Sequence, residues 1–394
     1  MNGVRSAADG FSLVELMVAL TLSLAIVSGV FRLVDPASGA FQTQPEVADV
    51  QQRMRAAIAA ITRDVGGAGG MPFLATRADP VSPVPAAAVF PMRVGRTGTD
   101  PPGTYDQARL SVWSIAPTAV QAKLGASLAS ANGVATIMPG AGCRAGAASC
   151  GFQSGMTVVV LGRDGAFDLF SITRTAGSSI TLQHNFADSG VMFAASDSTM
   201  AEATLRTYML KNDPATGAPR LVRYDGAGGA DVPVVDHVVN LGFDLLGEAE
   251  PPSLVTTSEP AAVRVTYGPP PPAPGVSTTV YPPGENCAFS RTPAGGVTPR
   301  LAALAAGPVL VRLEPASLVD GPWCPDATSP NRYDADLLRV RAVVARVRVE
   351  AAIDALRGPA GPLFTRGGTA RGARFVPDRV AETVVTPRAL SAWR

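Results

Sequence analysis

The sequence predicts an α+β protein in which a long N-terminal helix, apolar at first and amphipathic later, packs on a β-rich globular domain. Three observations predict it. From Leu16 to Phe31 no residue is charged. Residues 45–66 repeat apolar side chains in steps of three and four. Beyond them, short β-type runs alternate with turn residues, in a chain that holds 40 Gly and 35 Pro.

The first ten residues, MNGVRSAADG, are short and polar, and the run FSLVELMVALTLSLAIVSGVFRLV follows over residues 11–34. As a helix those residues reach about 36 Å, enough to cross a hydrocarbon core of about 30 Å. Leu, Met and Ala favour helix, and a helix satisfies its own backbone in lipid. One residue breaks the pattern. Glu15 puts a carboxylate inside the apolar run, at a cost of about 2.5–3.5 kcal/mol on insertion scales. It therefore needs a partner or a place near the interface. A cut between Gly10 and Phe11 would create an α-amine about 6 Å from Glu15 along the axis of one straight helix, so a neighbouring helix is the better donor. Such a pair fixes register more than it stabilises. A secretory signal has an apolar region of about 7–15 residues, shorter than this run. A plain membrane anchor accounts for the length but for neither Glu15 nor the Gly-Phe junction.

Asp35-Pro36 predicts a break, because Pro disfavours α geometry in the residue before it. Residues 37–44 read as that break, and Pro45 suits the first turn of a second helix over 45–66. Glu46 and Asp49 lie near its positive end. Val47, Val50, Met54, Ile58, Ile61 and Val65 make one apolar stripe, and Gly66-Gly67 stops the helix.

The body, 67–394, reads as strands. Thr157–Leu161, Ala166–Thr173 and Ser179–Gln183 suggest a meander. Thr204–Leu210 and Arg220–Tyr224 flank the turn Asn212-Asp213-Pro214-Ala215-Thr216-Gly217. Val234–Leu246 continues the pattern with mixed spacing. In Leu338–Val349 the outward parity flips, which a β-bulge near Val343-Val344 or full burial of the middle would explain. Val380–Thr386 is the last candidate strand. A Pro-rich stretch over about 251–334 reads as a surface insertion.

The four Cys are Cys143, Cys150, Cys287 and Cys324. In a chain that leaves the cytoplasm an even count suggests two disulfides, Cys143 with Cys150 around a short loop and Cys287 with Cys324 across the insertion. The alternative is four reduced thiols. The formal net charge of +1 gives no field that favours nucleic acid, and no nucleic-acid partner is expected. Trp113, Trp323 and Trp393 are too scattered for a stacking platform. Two His, His184 and His237, argue against a His-based metal cluster, and His237 among Val residues reads as a hydrogen-bonded structural residue. Asp225, Asp231 and Asp236 lack EF-hand spacing and read as surface solvation. No Walker, G-x-S-x-G or H-E-x-x-H motif occurs, so no enzyme, cofactor or metal is expected.

The hexapeptide Gly10-Phe11-Ser12-Leu13-Val14-Glu15, followed by about twenty apolar residues, resembles the prepilin processing motif. The resemblance implies cleavage after Gly10 by a prepilin peptidase and N-methylation of Phe11. It also implies pairing of Glu15 with the N-terminal amine of an adjacent subunit during assembly. The segment from Gln51 to Val65, the hairpin TYMLKNDPATGAPRLVRYDG, the run VVDHVVNLGFDLL and the ending PDRVAETVVTPRALSAWR are similar to PilW-like minor pilins. The insertion departs from that compact plan. The resemblance divides the chain into a leader 1–10, a transmembrane assembly helix 11–34, an amphipathic helix 45–66 and a β-rich pilin-like domain 67–394. It implies a single-pass inner-membrane protein with a periplasmic body, later in a filament with major and minor pilins. The function it implies is that of a minor type IV pilin in pilus priming or at the tip. The alternatives are a J-type minor pseudopilin of type II secretion and a membrane-tethered adhesin outside any filament.

Overall fold

The structure, a computed structural model, describes residues 12–69, 89–90, 105–128, 133–140, 143, 146–162, 167–186, 192–225, 231–249, 289–291, 297–299, 309–318, 323–324, 333–357 and 376–388. It is α+β, with an N-terminal apolar helix followed by a β-rich domain.

Helix α1 runs unbroken from Leu13 to Gly66. The sequence predicts two helices with a break after Asp35-Pro36; the structure corrects this to one. Each Pro removes one i→i−4 bond and costs about 3 kcal/mol in a helix interior, but the turns on either side keep theirs and propagation is cooperative. Gly67 caps the C-terminus, its N–H donating to the Arg63 carbonyl at 3.1 Å. The chain then ties into the body: the Gly69 N–H donates to the Trp113 carbonyl at 2.7 Å.

The first strands are β1 (Val89–Phe90) and β2 (Tyr105–Ser114). The chain then makes six strands: β3 (Gln121–Leu124), β4 (Gly133–Met138), β5 (Thr157–Leu161), β6 (Phe167–Ala176), β7 (Ser179–Phe186) and β8 (Thr199–Glu202). These close into a barrel in the order β3-β4-β7-β6-β5-β8. Closure leaves no strand edge open. Val158, Val159 and Val160 are all fully buried, so β5 is covered on both faces. The Cys143–Cys150 disulfide closes a loop between β4 and β5, as the sequence predicts. Cys287 lies outside the described residues, and the second expected bridge with it.

After the barrel come β9 (Thr204–Asn212), β10 (Pro219–Tyr224) and β11 (Val232–Asp236). They join β1 and β2 in an antiparallel sheet ordered β1-β2-β9-β10-β11. Ser114 pairs with Thr204, so the whole barrel leaves and re-enters the sheet at one point. Trp113, buried, stacks on Phe167 of the barrel with centroids 5.9 Å apart. The β9–β10 turn is where the sequence places it, and Gly217 supplies its positive φ of 68°.

The second sheet holds β12 (Val238–Gly247). Two short strands follow, β13 (Phe289–Arg291) and β14 (Val297–Pro299), paired with each other. Then come β15 (Val311–Leu313), the pair β16 (Trp323–Cys324) and β17 (Tyr333–Asp334), β18 (Val340–Val349) and β19 (Arg379–Val385). The sheet order is β15-β12-β18-β19, all antiparallel. The expected surface insertion therefore gives the body an edge strand, because Leu313 and Leu318 are apolar enough to bury. Its remaining residues lie largely outside the described ones. At Gly247 a Cβ would sit 2.4 Å from the Arg339 carbonyl, so only Gly allows this approach.

Two expectations about strands resolve here. The mixed spacing of Val234–Leu246 reflects two strands in different sheets, divided at His237 with φ +58°. The parity flip in β18 comes from burial of its first six residues. The register shifts lie instead opposite the two ends of β12.

The C-terminal part of α1 packs on β18, β19, β11 and β2. Of the predicted stripe, Val50, Ile61 and Val65 are fully buried, while Val47, Met54 and Ile58 are partly buried against the core. Ala57 and Ala60 are buried too, small residues that bring the helix close to the sheets. On the outer face of the second sheet, charges alternate across four strands. Arg312 and Arg346 both pair with Asp244, and Arg346 Nε donates to Glu382 at 2.6 Å. Arg346 is held above its usual range by the Glu382 hydrogen bond first and by Asp244 as well. Within β18, Arg346 is partly exposed on this face, whereas Arg341 is buried.

Candidate processing and assembly site

Gly10 and Phe11 lie outside the described residues, so the junction itself is legible only in sequence. The described site begins at Ser12, the N-cap of α1, with φ −70° and ψ 142°. Its Oγ accepts from the Val14 N–H at 3.3 Å. Glu15 reaches back, and its Oε2 accepts the Ser12 N–H at 3.4 Å. This is a capping box, and the spacing Ser12-x-x-Glu15 announces it in the sequence, where the reading of Glu15 as a misfit passed over it. The box changes the electrostatic account of Glu15. A carboxylate in the first turn faces the positive end of the helix, a favourable term of about 0.3–1 kcal/mol. It also spends one oxygen on its own chain. A carboxylate offers about four acceptor sites, so Glu15 can cap its helix and still accept from a second donor.

Beyond Glu15 the helix presents apolar side chains to the outside on every side. Leu16 is 62% exposed, Leu24 61% and Phe31 68%. The stretch Leu13–Arg32 has a mean hydropathy of 2.2 and is long and apolar enough to cross a membrane. Thr21 turns its hydroxyl back on the helix, its Oγ1 donating to the Val18 carbonyl at 2.9 Å.

Other candidate residues form no chemical site. His237 does not make the hydrogen bond expected of it. Its Nδ1 is buried without a hydrogen-bond partner, 3.7 Å from Glu350 Oε1. The residue sits where the chain changes sheets, with a φ of 58°. It lines a polar cavity of about 490 Å³ together with Arg53, Asp213, Asp236, Asp354 and Arg357. Those cations are already matched, Arg53 to Asp49 and Arg357 to Glu350 and Asp354. Asp225 takes a two-pronged hydrogen bond from Arg223, at 2.6 and 2.9 Å, and Asp231 pairs with Lys211. The backbone of His184 lies within β7, paired with Phe170. Among the described residues, no group of three or more His, Cys, Asp or Glu is arranged to hold a metal ion.

Comparison with known proteins adds one finding. The family described as the prokaryotic N-terminal methylation motif matches residues 5–31, covering the leader junction, Glu15 and the exposed helix. No curated protein and no solved structure matches the chain. The motif thus stands on one short N-terminal segment, and for that segment it supports a type IV pilin-like or pseudopilin protein processed by a prepilin peptidase.

Proposed function

We propose that the chain is a minor type IV pilin, PilW-like, that acts in pilus assembly at the priming step or the tip rather than in catalysis. The leader is removed after Gly10, Phe11 becomes the methylated N-terminus, and α1 holds the subunit in the inner membrane until it enters the filament. The body then faces the periplasm or the outside. The observation that carries the reading is Glu15: a carboxylate in the first turn of an otherwise apolar, outward-facing helix, within a segment matching the methylation motif. The size of the body, with a whole barrel inserted into one sheet, supports a low-copy position where bulk is tolerated.

The mass and sequence of the mature N-terminus test the first half. Methylated Phe11 is the expected result; an intact Met1 or a start at Phe41 overturns it. Glu15→Ala tests the second. Incorporation into filaments is lost while membrane insertion is retained, since the substitution removes an insertion cost of about 2.5–3.5 kcal/mol. Undiminished function and surface display in that variant would identify a tethered binding protein instead.

A further inference from the structure

Two buried carboxylates on α1 do work that the apolar stripe cannot. Glu46 is 7% exposed and Asp64 5%. They lie about five helical turns, or about 27 Å, apart and on the same face. Each is held by a different sheet system. The Glu46 carboxylate accepts the N–H of Ala352, just beyond the end of β18. Asp64 accepts from the Arg206 guanidinium and from the Tyr208 hydroxyl, both on β9. Burial, and then the hydrogen bond to Asp64, hold the Tyr208 phenol far above its usual range, so it remains a donor at any physiological pH.

The stripe between them is nearly degenerate. Its apolar residues, 47, 50, 54, 57, 58, 61 and 65, recur every three or four positions. Sliding α1 by one turn would replace Val50 with Met54, Ala57 with Ile61 and Ile61 with Val65 against the sheets, still an apolar contact. The same slide would bring Val50 to the Ala352 N–H and Ala68 to Arg206 and Tyr208, leaving those donors without acceptors. An unmet buried donor costs about 1–3 kcal/mol, so one register is selected. Buried ionic groups that contribute little net stability commonly serve this purpose.

We propose that Glu46 and Asp64 are positioning residues that set the axial register of α1 on the body. They thereby set the distance from the body to Glu15, some 31 residues and about 46 Å upstream of Glu46. A one-turn slip would move the apolar arm by about 5.4 Å relative to the body. The consequence for assembly rests on the reading of Glu15 as the assembly group; the register itself does not.

The test uses the full chain in lipid nanodiscs, with nitroxide labels on unnatural amino acids at exposed Gln52 on α1 and exposed Val134 on the barrel. The unsubstituted protein gives one narrow distance. Glu46→Met/Asp64→Leu, which keeps side-chain bulk and removes both acceptors, gives a second population displaced by about one helical turn, and filament incorporation falls with it. Near-ultraviolet dichroism of buried Trp113 reports whether the body stays folded. If the double variant unfolds it, Glu46→Met alone carries the same expectation. A single unchanged distance in a folded variant overturns the proposal. A second distance together with normal incorporation of Glu15→Ala would leave the register intact as an inference and remove the assembly reading instead.

Discussion

The two ends of α1 share one backbone and meet opposite surroundings. Residues 13–32 are exposed to the last side chain, whereas Val50, Ala57, Ile61 and Val65 are fully buried against two sheets. The upper stretch is apolar all round, so no rotation about its axis is preferred and any greasy environment satisfies it. The lower stretch is apolar on one side only and carries Glu46 and Asp64 within the contact. One half of the helix therefore suits any apolar surroundings, while the other half keeps a fixed seat. Polar groups mark the difference. In the upper half the lone carboxylate sits at the very end, where its own helix terminus receives it. In the lower half the carboxylates sit inside, where only the tertiary fold supplies donors.

Matched substitutions break this comparison most sharply. Ile61→Ala should destabilise the body by about 2–5 kcal/mol, because it empties a buried site. Leu24→Ala should leave the denaturant midpoint of the body within about 0.5 kcal/mol of the parent in detergent. Equal losses at both sites would mean that the upper half is also packed on the body. Asp64→Ala should cost about 1–3 kcal/mol by urea unfolding, through the unmet Tyr208 hydroxyl and the stranded Arg206. Part of Arg206 is exposed to solvent, which keeps the loss below that of a fully buried pair. On the outer face of the second sheet the same chemistry should matter less. Arg346 is 39% exposed and Glu382 56%, so Arg346→Ala should cost under about 1 kcal/mol, and the loss should shrink further in high salt.

The smallest effect concerns pH. The Ala215 N–H, and after it Arg220, hold the Asp213 carboxyl below the usual carboxylate range. A carboxylate with a lowered folded pKa contributes above its unfolded pKa and loses that contribution as pH falls through the folded value. The β9–β10 turn should therefore loosen only in acid, as pH falls below the ordinary carboxylate range, seen as faster exchange of the Ala215 amide while the barrel amides stay protected. Loosening near neutrality would show that another group governs the turn.

Much of the architecture could be read along the chain. Gly10-Phe11 and Glu15, the uncharged stretch after them and the stripe through Ile61 are local patterns, and local patterns encode period, caps and turns. Thr157–Leu161 coincides with β5, and the turn through Gly217 falls where its residue types demand. The Ser12–Glu15 capping box was equally legible, since it needs only the two residues at the right spacing. Prolines misled the reading because their penalty is local, while helix continuity depends on both flanks at once.

What remained hidden was long-range. Nothing near Ser114 states that its partner is Thr204, ninety positions on, or that the strands between them close on themselves. Strand pairing is decided by which faces can be buried together, and that choice is made in three dimensions. The same holds for Asp64, which in sequence looks like one more charge beside a stripe. The amino-acid order by itself determined an apolar, acid-tipped helix, with a methylation-type motif at its start, ahead of a strand-rich body. Only the tertiary structure decided where that helix is seated, because a buried carboxylate acquires its role from donors that the fold brings from Arg206 and Tyr208.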